Sequence, residues 1–297
     1  MPDSLVSVIV PTFRRDTVLS RALESLGNQT WLHYEIIVVD DNADAQWNGK
    51  VADIVQAFMQ RYPAIHVCYV RNETNLGSAR TRNAGIQAAR GAFICFLDDD
   101  DVYLPQRIEN QLTAMVQEKA DFGITDLYLY NERDQLVDMR KRDYIKDMDQ
   151  LMRYHLMHHL TGTDTIMFRK DYLTAIGCFD PIDIGDEFYL MTKAIGHGGK
   201  FHYLPRCDVR AYVHSAEKGL SAGAGKILGE NRLFDYKRQY FTELDRAAIR
   251  YIKMRHHAVL AYAYLKNKQF GAFLAEGIKA FLCEPVGAFR VMTGGVK

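Results

Sequence analysis

No apolar run in this chain approaches the ~18–20 residues needed to cross a bilayer, so the sequence offers no membrane span. No excess of charge exists either: 37 Lys and Arg stand against 37 Asp and Glu. That balance argues against a general nucleic-acid binder, which should look basic. Cysteine is scarce and unpatterned. Cys68, Cys95, Cys178, Cys207 and Cys283 make an odd set with no CxxC spacing, which reads as free thiols in a reducing compartment. No secretory leader is expected, because Asp3 is followed at once by the strand-like stretch Leu5 to Val10. The expectation is a cytoplasmic protein that can touch the inner face of a membrane. There is no GxxxxGK[ST] loop and no GxGxxG turn, so neither a P-loop nor a dinucleotide-binding fingerprint is supported. Internal repeats and low-complexity tracts are absent too.

What is present is ordinary globular material, 48% apolar and 25% charged over 297 residues. That length fits about two domains, or one large α/β domain with an extension. Charge is unevenly spread. From Lys226 to Lys297 there are 13 basic and 6 acidic residues, net +7, so the first 225 carry net −7.

The first hundred residues alternate between apolar runs and helical periodicity. Val6 to Val10 reads as a buried strand, and Glu35 to Val39, His66 to Val70 and Ala92 to Leu97 read as three further strands. Between them, Val18, Leu19, Ala22, Leu23 and Leu26 mark a helix that Asp16 can cap, and Val51, Ile54, Val55, Phe58 and Met59 mark a second. Ser78 to Arg90 is the third. Strands separated by helices imply a parallel sheet with right-handed crossovers, and ligands of such sheets gather at the carboxyl ends of the strands. Further on, Ile108 to Val116 reads as a helix, Phe122 to Leu129 as a strand, and Asn131 to Asp149 as a charged surface loop. Ile166 to Phe168 is a short strand and Ser221 to Gly225 a mobile-loop signal. Two helical stretches are expected beyond Lys226. In the last, Phe270, Phe273, Leu274, Ile278, Phe281 and Leu282 share a face.

The chemistry sits at the predicted strand ends. Asp98, Asp99, Asp100 and Asp101 directly follow a buried strand. Like charges ~4 Å apart repel by about 1 kcal/mol even in water, so four of them at a sheet edge point to a cation. Oxygen-only ligands suit Mg²⁺ or Mn²⁺, which also bridge phosphates. If the run is extended, Asp98 and Asp100 face one way and Asp99 and Asp101 the other, so that one pair faces a metal diphosphate and the other caps a helix near Pro105. A solvated acidic turn is the bland alternative. Asp40-Asp41 closes the second strand. Pro11-Thr12-Phe13-Arg14-Arg15 follows the first, with a hydroxyl, an aromatic face and two guanidinium groups, as a nucleotide requires. Asn75 to Asn83 opens a helix with small polar residues, Arg80 and Arg82 among them, and helix N-termini attract anions.

The segments VSVIVPTFRR (Val6 to Arg15), EIIVVDDN (Glu35 to Asn42), NLGSARTRNAGI (Asn75 to Ile86), ARGAFICFLDDDD (Ala89 to Asp101) and IGCFDPIDIGDEFYL (Ile176 to Leu190) together resemble family 2 glycosyltransferases of GT-A fold. The resemblance covers roughly residues 4 to 215. It implies an α/β catalytic domain over 1–225, with a mostly parallel Rossmann-like central sheet flanked by helices. Its nucleotide-binding half would be about 1–101 and its acceptor half about 102–225, followed by a helical extension over 226–297. It further implies that Phe13 stacks on the nucleobase, with Pro11 and Thr12 beside it. Arg15 joins the nucleotide-sugar site, Asp41 bonds the base, and Arg82 lies near base or diphosphate. The DxD motif maps to Asp98-Asp99-Asp100, with Asp98 or Asp99 near the ribose and Asp100 on the Mn²⁺ or Mg²⁺ ion. The family motif often has a small middle residue, where this chain has Asp99. Asp186 is favoured as the base of an inverting transfer, with Glu187 second. The family usually shows the reverse order, Glu then Asp. His214 resembles the family histidine that completes the metal shell.

These likenesses imply a metal-dependent transferase. A nucleotide-sugar donor, usually a UDP-sugar, would serve a glycan or lipid-linked glycan acceptor in cell-surface polysaccharide synthesis. The alternatives are a sugar-1-phosphate nucleotidyltransferase, which wants a Gly-rich basic loop that Pro11-Thr12-Phe13 does not supply, and a non-catalytic binding protein on the same fold. His155, His158 and His159 have helical spacing but no adjacent carboxylate cluster, so they read as surface or core residues. Arg246, Arg250, Lys253 and Arg255, interleaved with apolar positions, fit either a membrane-surface helix or a helix packed on the catalytic domain.

Overall fold

The computed structural model describes residues 4–142, 145, 147–160, 162–182, 184–213 and 223–292. Two compact units divide it: Met1–Met148 with Leu160–Ser215, and Asp149–His159 with Ala216–Lys297.

The first unit is built on the expected alternation. Strands β1 (Val6–Thr12), β2 (Tyr34–Asp40), β3 (His66–Arg71) and β4 (Phe93–Phe96) alternate with helices α1 (Leu19–Gly27), α2 (Ala45–Arg61) and α3 (Ser78–Ala88). All four strands pair in parallel, in the order β3-β2-β1-β4. The apolar runs of β1, β2 and β4 are continuous because both faces are covered, whereas β3, at the sheet edge, is only half-buried. Val6, Val8 and Val10 pack into one core with Leu19, Leu23, Val51 and Phe58 of α1 and α2. The alternate residues meet α3. A Cβ built on Gly85 of α3 would stand 2.5 Å from Ile9 Cγ2 and 3.1 Å from Val39 Cγ2. Glycine is therefore required there for close helix–sheet approach, and Gly85→Val is expected to cost about 1–3 kcal/mol, read as a lower urea midpoint with unchanged slope.

After β4 the chain leaves the parallel pattern. β5 (Val102–Tyr103), α4 (Arg107–Gln117), β6 (Phe122–Asn131), β7 (Leu136–Arg140), β8 (Met167–Arg169), α6 (Lys170–Ala175), α7 (Asp186–Gly196) and β9 (Phe201–Val213) complete a nine-stranded mixed sheet, with α5 (Leu151–His158) belonging to the second unit. The order continues β4-β8-β6-β9-β5; β8 runs antiparallel to β4 and β6, and β6 parallel to β9. The α/β class is the one expected, and the later strands add antiparallel pairs to the parallel core.

Three local expectations are corrected. Asp16 does not cap α1, whose cap position is Val18; its carboxylate pairs with Lys50 Nζ at 2.7 Å instead. The charged stretch after Asn131 is not all loop, because Leu136–Arg140 folds back as β7 against β6 through a turn at Asp134 (φ 57°). Gly223 to Gly225 already belong to a helix, while 221 and 222 lie outside the described residues.

The second unit is helical: α5, then α8 (Gly223–Arg238), α9 (Arg246–Lys266), α10 (Phe270–Cys283) and α11 (Pro285–Met292). Four helices thus occupy the stretch beyond Ala222, where the sequence suggested two. Asp245 caps α9 by accepting from Ala248 N at 2.8 Å. Met254 and Ala258 of α9 pack with Ala280 of α10 and Ala288 of α11. The helical histidines are structural contacts: His159 Nε2 meets Lys237 Nζ at 2.5 Å and His158 Nδ1 meets Tyr251 Oη at 3.3 Å. All five cysteines are free. Among the described residues, no helix is long and apolar enough to cross a membrane.

Candidate active site

Because β1, β2 and β4 run parallel, their carboxyl ends emerge on one edge. The backbone ties these ends together: Asp41 N donates to Thr12 O at 3.0 Å, and Leu97 N to Ile9 O at 3.0 Å. The segments singled out from sequence are thereby neighbours.

Thr12, 2% exposed, donates its hydroxyl to Asp99 Oδ2 at 2.6 Å, and Phe13 N reaches the same oxygen at 3.4 Å. Phe13 itself is an exposed ring, open to stack on a planar ligand. Arg14 follows in the left-handed region (φ 54°), with its N–H donating to Asn42 Oδ1 at 2.7 Å. A non-glycine residue in that conformation is held there by its surroundings. Arg15 pairs with Asp100 at 3.2 Å and approaches Asp99 at 4.0 Å.

Asp41 has a different environment. Its carboxylate accepts from Asn72 Nδ2, Asn75 Nδ2, Leu76 N and Gly77 N, at 2.8–3.0 Å. Both oxygens thus serve the loop that leads into α3. Gly77 sits at φ 82°, a conformation that favours glycine. Asp41 therefore sets the start of α3, and α3 carries Arg82.

Arg82 is the hub. It is 6% exposed, with one terminal nitrogen on Asp98 Oδ1 at 2.7 Å and the other on Asp186 Oδ2 at 2.7 Å. Burial opposes its charge, but the two carboxylates outweigh burial and push its pKa up. Ser78 Oγ adds a bond to Asp186 Oδ2 at 3.2 Å. Asp186 opens α7 directly after Gly185, which is left-handed at φ 74°. Asn83 and Phe179 exchange hydrogen bonds at 2.8 and 3.0 Å, fixing the loop before α7 against α3.

The acidic run is a turn, not an extended strand: Asp101 N donates back to Asp98 O at 3.1 Å. That turn overturns the expected alternation, because it brings the first and fourth residues to the same side. Nor does Asp101 cap the following helix. α4 starts at Arg107 without a side-chain cap, and Asp101 Oδ1 accepts instead from Tyr212 N at 2.8 Å. Asp98, Asp101 and Asp164 each present an oxygen, all within 4.8 Å of one another. Asp164 also accepts from Asp98 N at 2.6 Å. Burial, and then the Asp98 charge, push Asp164 up to about 7; burial and the Asp164 charge raise Asp101 as well. Burial likewise pushes Asp99 up to about 7. Crowded carboxylates whose ionisation is resisted form a donor set that a hard divalent cation relieves. The residues present therefore fit a metal.

Asp164 escaped the sequence reading. It lies in Thr163-Asp164-Thr165, a lone acid far along the chain, and only the antiparallel insertion of β8 beside β4 carries it to Asp98. No local signal could have found it. His214 lies outside the described residues. The other residues singled out are all described. Thr12, Phe13 and Arg15 gather on Asp99 and Asp100, Arg82 joins Asp98 to Asp186, and the two clusters meet where Asp98 adjoins Asp99 in the chain, with Pro11 half-buried in β1 and Asp41 behind the loop.

Glu187 is half-buried beside Asp186, and burial followed by the Asp186 charge pushes it up to about 8. An unfolded glutamate titrates near ~4.3. Between those values the folded chain holds a proton that the unfolded chain has lost, so this residue makes stability fall as pH rises. Glu187→Gln is expected to flatten that slope. From about pH 5 to about pH 9 the wild type should lose on the order of 1–3 kcal/mol more than the variant in urea titrations.

Comparison with known proteins follows the same residues. The sequence profile for glycosyl transferase family 2 matches residues 7–174. An uncharacterized glycosyltransferase of Methanocaldococcus jannaschii is 28% identical over 223 residues, 74% of this chain and 75% of its own length. The UDP-Glc:α-D-GlcNAc-diphosphoundecaprenol β-1,3-glucosyltransferase WfgD of Escherichia coli is 30% identical over 122 residues, 41% of this chain and 45% of its own. Among solved structures, the mannosyltransferase PcManGT of Pyrobaculum calidifontis in complex with GDP-Man and Mn²⁺ superposes with a TM-score of 0.60 at 18% identity. It covers 98% of this chain and 79% of that one, a likeness of fold. With more than half its length matched by the profile, and with α/β topology to suit, the chain belongs to glycosyl transferase family 2.

Proposed function

We propose that the protein is an inverting, metal-dependent glycosyltransferase. It would move a sugar from a nucleotide donor, a UDP-sugar, to a glycan or lipid-linked glycan of a cell-surface polysaccharide. The observation that carries this reading is the Arg82 bridge, which holds the acidic run and Asp186 in one place through Asp98.

In this reading the base stacks on the exposed Phe13, flanked by Pro11 and Thr12, while Asp98 or Asp99 meets the ribose. Asp41, its carboxylate taken up by Asn72, Asn75, Leu76 and Gly77, acts from behind by shaping the loop ahead of α3. Arg15 and Arg82 supply positive charge for the diphosphate. A divalent ion held by Asp100, with His214, would neutralise the leaving diphosphate. The Asp98, Asp101 and Asp164 oxygens are the competing donor set, favoured by their mutual distances. Asp186 removes the proton of the acceptor hydroxyl as that oxygen attacks the anomeric carbon. The bond from that carbon to the diphosphate oxygen breaks, and its electron pair leaves with the nucleoside diphosphate. Attack from the face opposite the leaving group inverts the anomeric centre. Ser78 and Arg82 orient the Asp186 carboxylate for this task.

A screen of nucleotide sugars for diphosphate release, with Mn²⁺ and with chelator, tests the reading. Release from a UDP-sugar that chelation abolishes is expected. Release of pyrophosphate from a nucleoside triphosphate and a sugar phosphate would favour the nucleotidyltransferase, and no turnover of any donor would favour a binding protein. Asp100→Asn and Asp164→Asn assign the ion: the variant of the true ligand is expected to weaken Mn²⁺ binding at least about tenfold, the cost of one lost charged ligand of about 1.4 kcal/mol or more.

A further inference from the structure

The second unit turns its most apolar helix face outward. Phe270, Leu274, Ile278, Phe281 and Leu282 recur at spacings of three and four along α10, so they share one side of the helix. Each is between 53% and 76% exposed. The opposite side is occupied: Ala280 packs with Met254 and Ala258 of α9, and Glu276 bonds His257 at 2.6 Å. The apolar stripe is therefore not the packing face, in contrast to an ordinary amphipathic surface helix, which presents its polar side to water. α11 repeats the arrangement, with Ala288 packed inward and Val286 and Phe289 exposed.

Charge around this face is sorted by sign. Lys266 and Lys268 stand exposed at the turn into α10, and Lys279 is exposed on α10 itself. The two acids of this stretch, Glu276 and Glu284, are both half-buried, and Glu276 is turned in to bond His257 and Lys279. Beyond Gly225 the chain carries net +7. A helix lying in a lipid interface has this design, with large apolar side chains on one side and lysines at its margin. Anionic headgroups attract those lysines in a salt-dependent way. A span is not available, since no described helix is long and apolar enough.

We propose that the outward face of α10, extended by α11, docks on an anionic lipid surface, holding the protein peripherally at a membrane. This does not rest on the catalytic reading, and its test uses no activity. The full chain is sedimented with phosphatidylcholine vesicles, with and without phosphatidylglycerol, at low and high salt. Binding that rises with phosphatidylglycerol and falls with salt is expected. Leu274→Gln, Ile278→Gln and Phe281→Gln together should lower the partition coefficient at least about tenfold, with circular dichroism and thermal midpoint unchanged because the replaced groups are exposed. Lys266→Glu with Lys268→Glu, a variant that keeps the apolar face, should lose the preference for phosphatidylglycerol. Failure of the wild-type chain to sediment with either vesicle would overturn the proposal. So would a triple variant that binds as well as wild type, or a wild-type dimer in light scattering that the triple variant converts to monomer.

Discussion

Asp186→Asn is expected to lower turnover by about 10²–10⁴-fold while leaving nucleotide affinity within a few-fold of wild type. General-base catalysis contributes about that range. The amide has the size of the carboxylate but cannot take the proton of the acceptor hydroxyl. Nucleotide affinity is largely spared because the groups proposed to meet base and ribose come from the ends of β1 and β4, and Asp186, at the start of α7, reaches the donor side only through Arg82, to which an amide oxygen can still accept. Initial rates at saturating donor, beside calorimetric titration of UDP and Mn²⁺, separate the two effects. Near-normal turnover would move the base to Glu187, the neighbouring carboxyl, whose raised pKa would then make transfer climb as pH rises toward about 8 and the group loses its proton. Loss of turnover together with loss of nucleotide binding would instead mean that Asp186 acts through Arg82 on the donor side.

Arg82→Met is expected to damage both stability and donor binding. The guanidinium is buried between Asp98 and Asp186, at 2.7 Å from each. Removing one partner of a buried ion pair leaves uncompensated charge and costs about 3–5 kcal/mol. Asp98 is partly open to solvent, with a side chain 34% exposed, so the lower end of that range applies. A urea titration reads the stability loss. Its expected recovery on acidification, as the stranded carboxylates take up protons, distinguishes lost charge pairing from lost packing. Arg82→Lys is not expected to rescue the protein, because a single ammonium cannot span two carboxylates as the planar fork does. Donor affinity should fall in both variants, measured with UDP in the presence of Mn²⁺.

The two variants probe parts of the molecule that were unequally legible. Strands β1, β2 and β4 could be read residue by residue, because strands covered on both faces are continuous apolar runs whatever lies beyond them, and β3, half-buried at the sheet edge, still stood out by its Val and Tyr content. The end of each such strand is also a place where polar residues stand out, so Thr12, Asp41 and Asp98 to Asp101 could be singled out by position alone. The acceptor side was harder. β7 is a short, mostly exposed hairpin strand set in a charged stretch, and it passed for loop. Chain tracing gives no hint that Asp98 and Asp101 share a side, since whether a run of four acids is extended or turned depends on a single backbone hydrogen bond.

The apolar stripe of α10 shows the same boundary from the other direction. Its periodicity is plain in the sequence, but periodicity states only that a face exists, not what it meets. Local order, the parallel core and the kinds of group at the strand ends follow from residue order, because burial and backbone hydrogen bonding act over a few neighbours. Which acids converge, that Arg82 bridges Asp98 to Asp186 across 104 residues of chain from α3 to α7, and that α10 turns its apolar side outward were decided by tertiary packing. Pairings across such separations depend on where β8 and α7 come to rest, and no nearby residue encodes that.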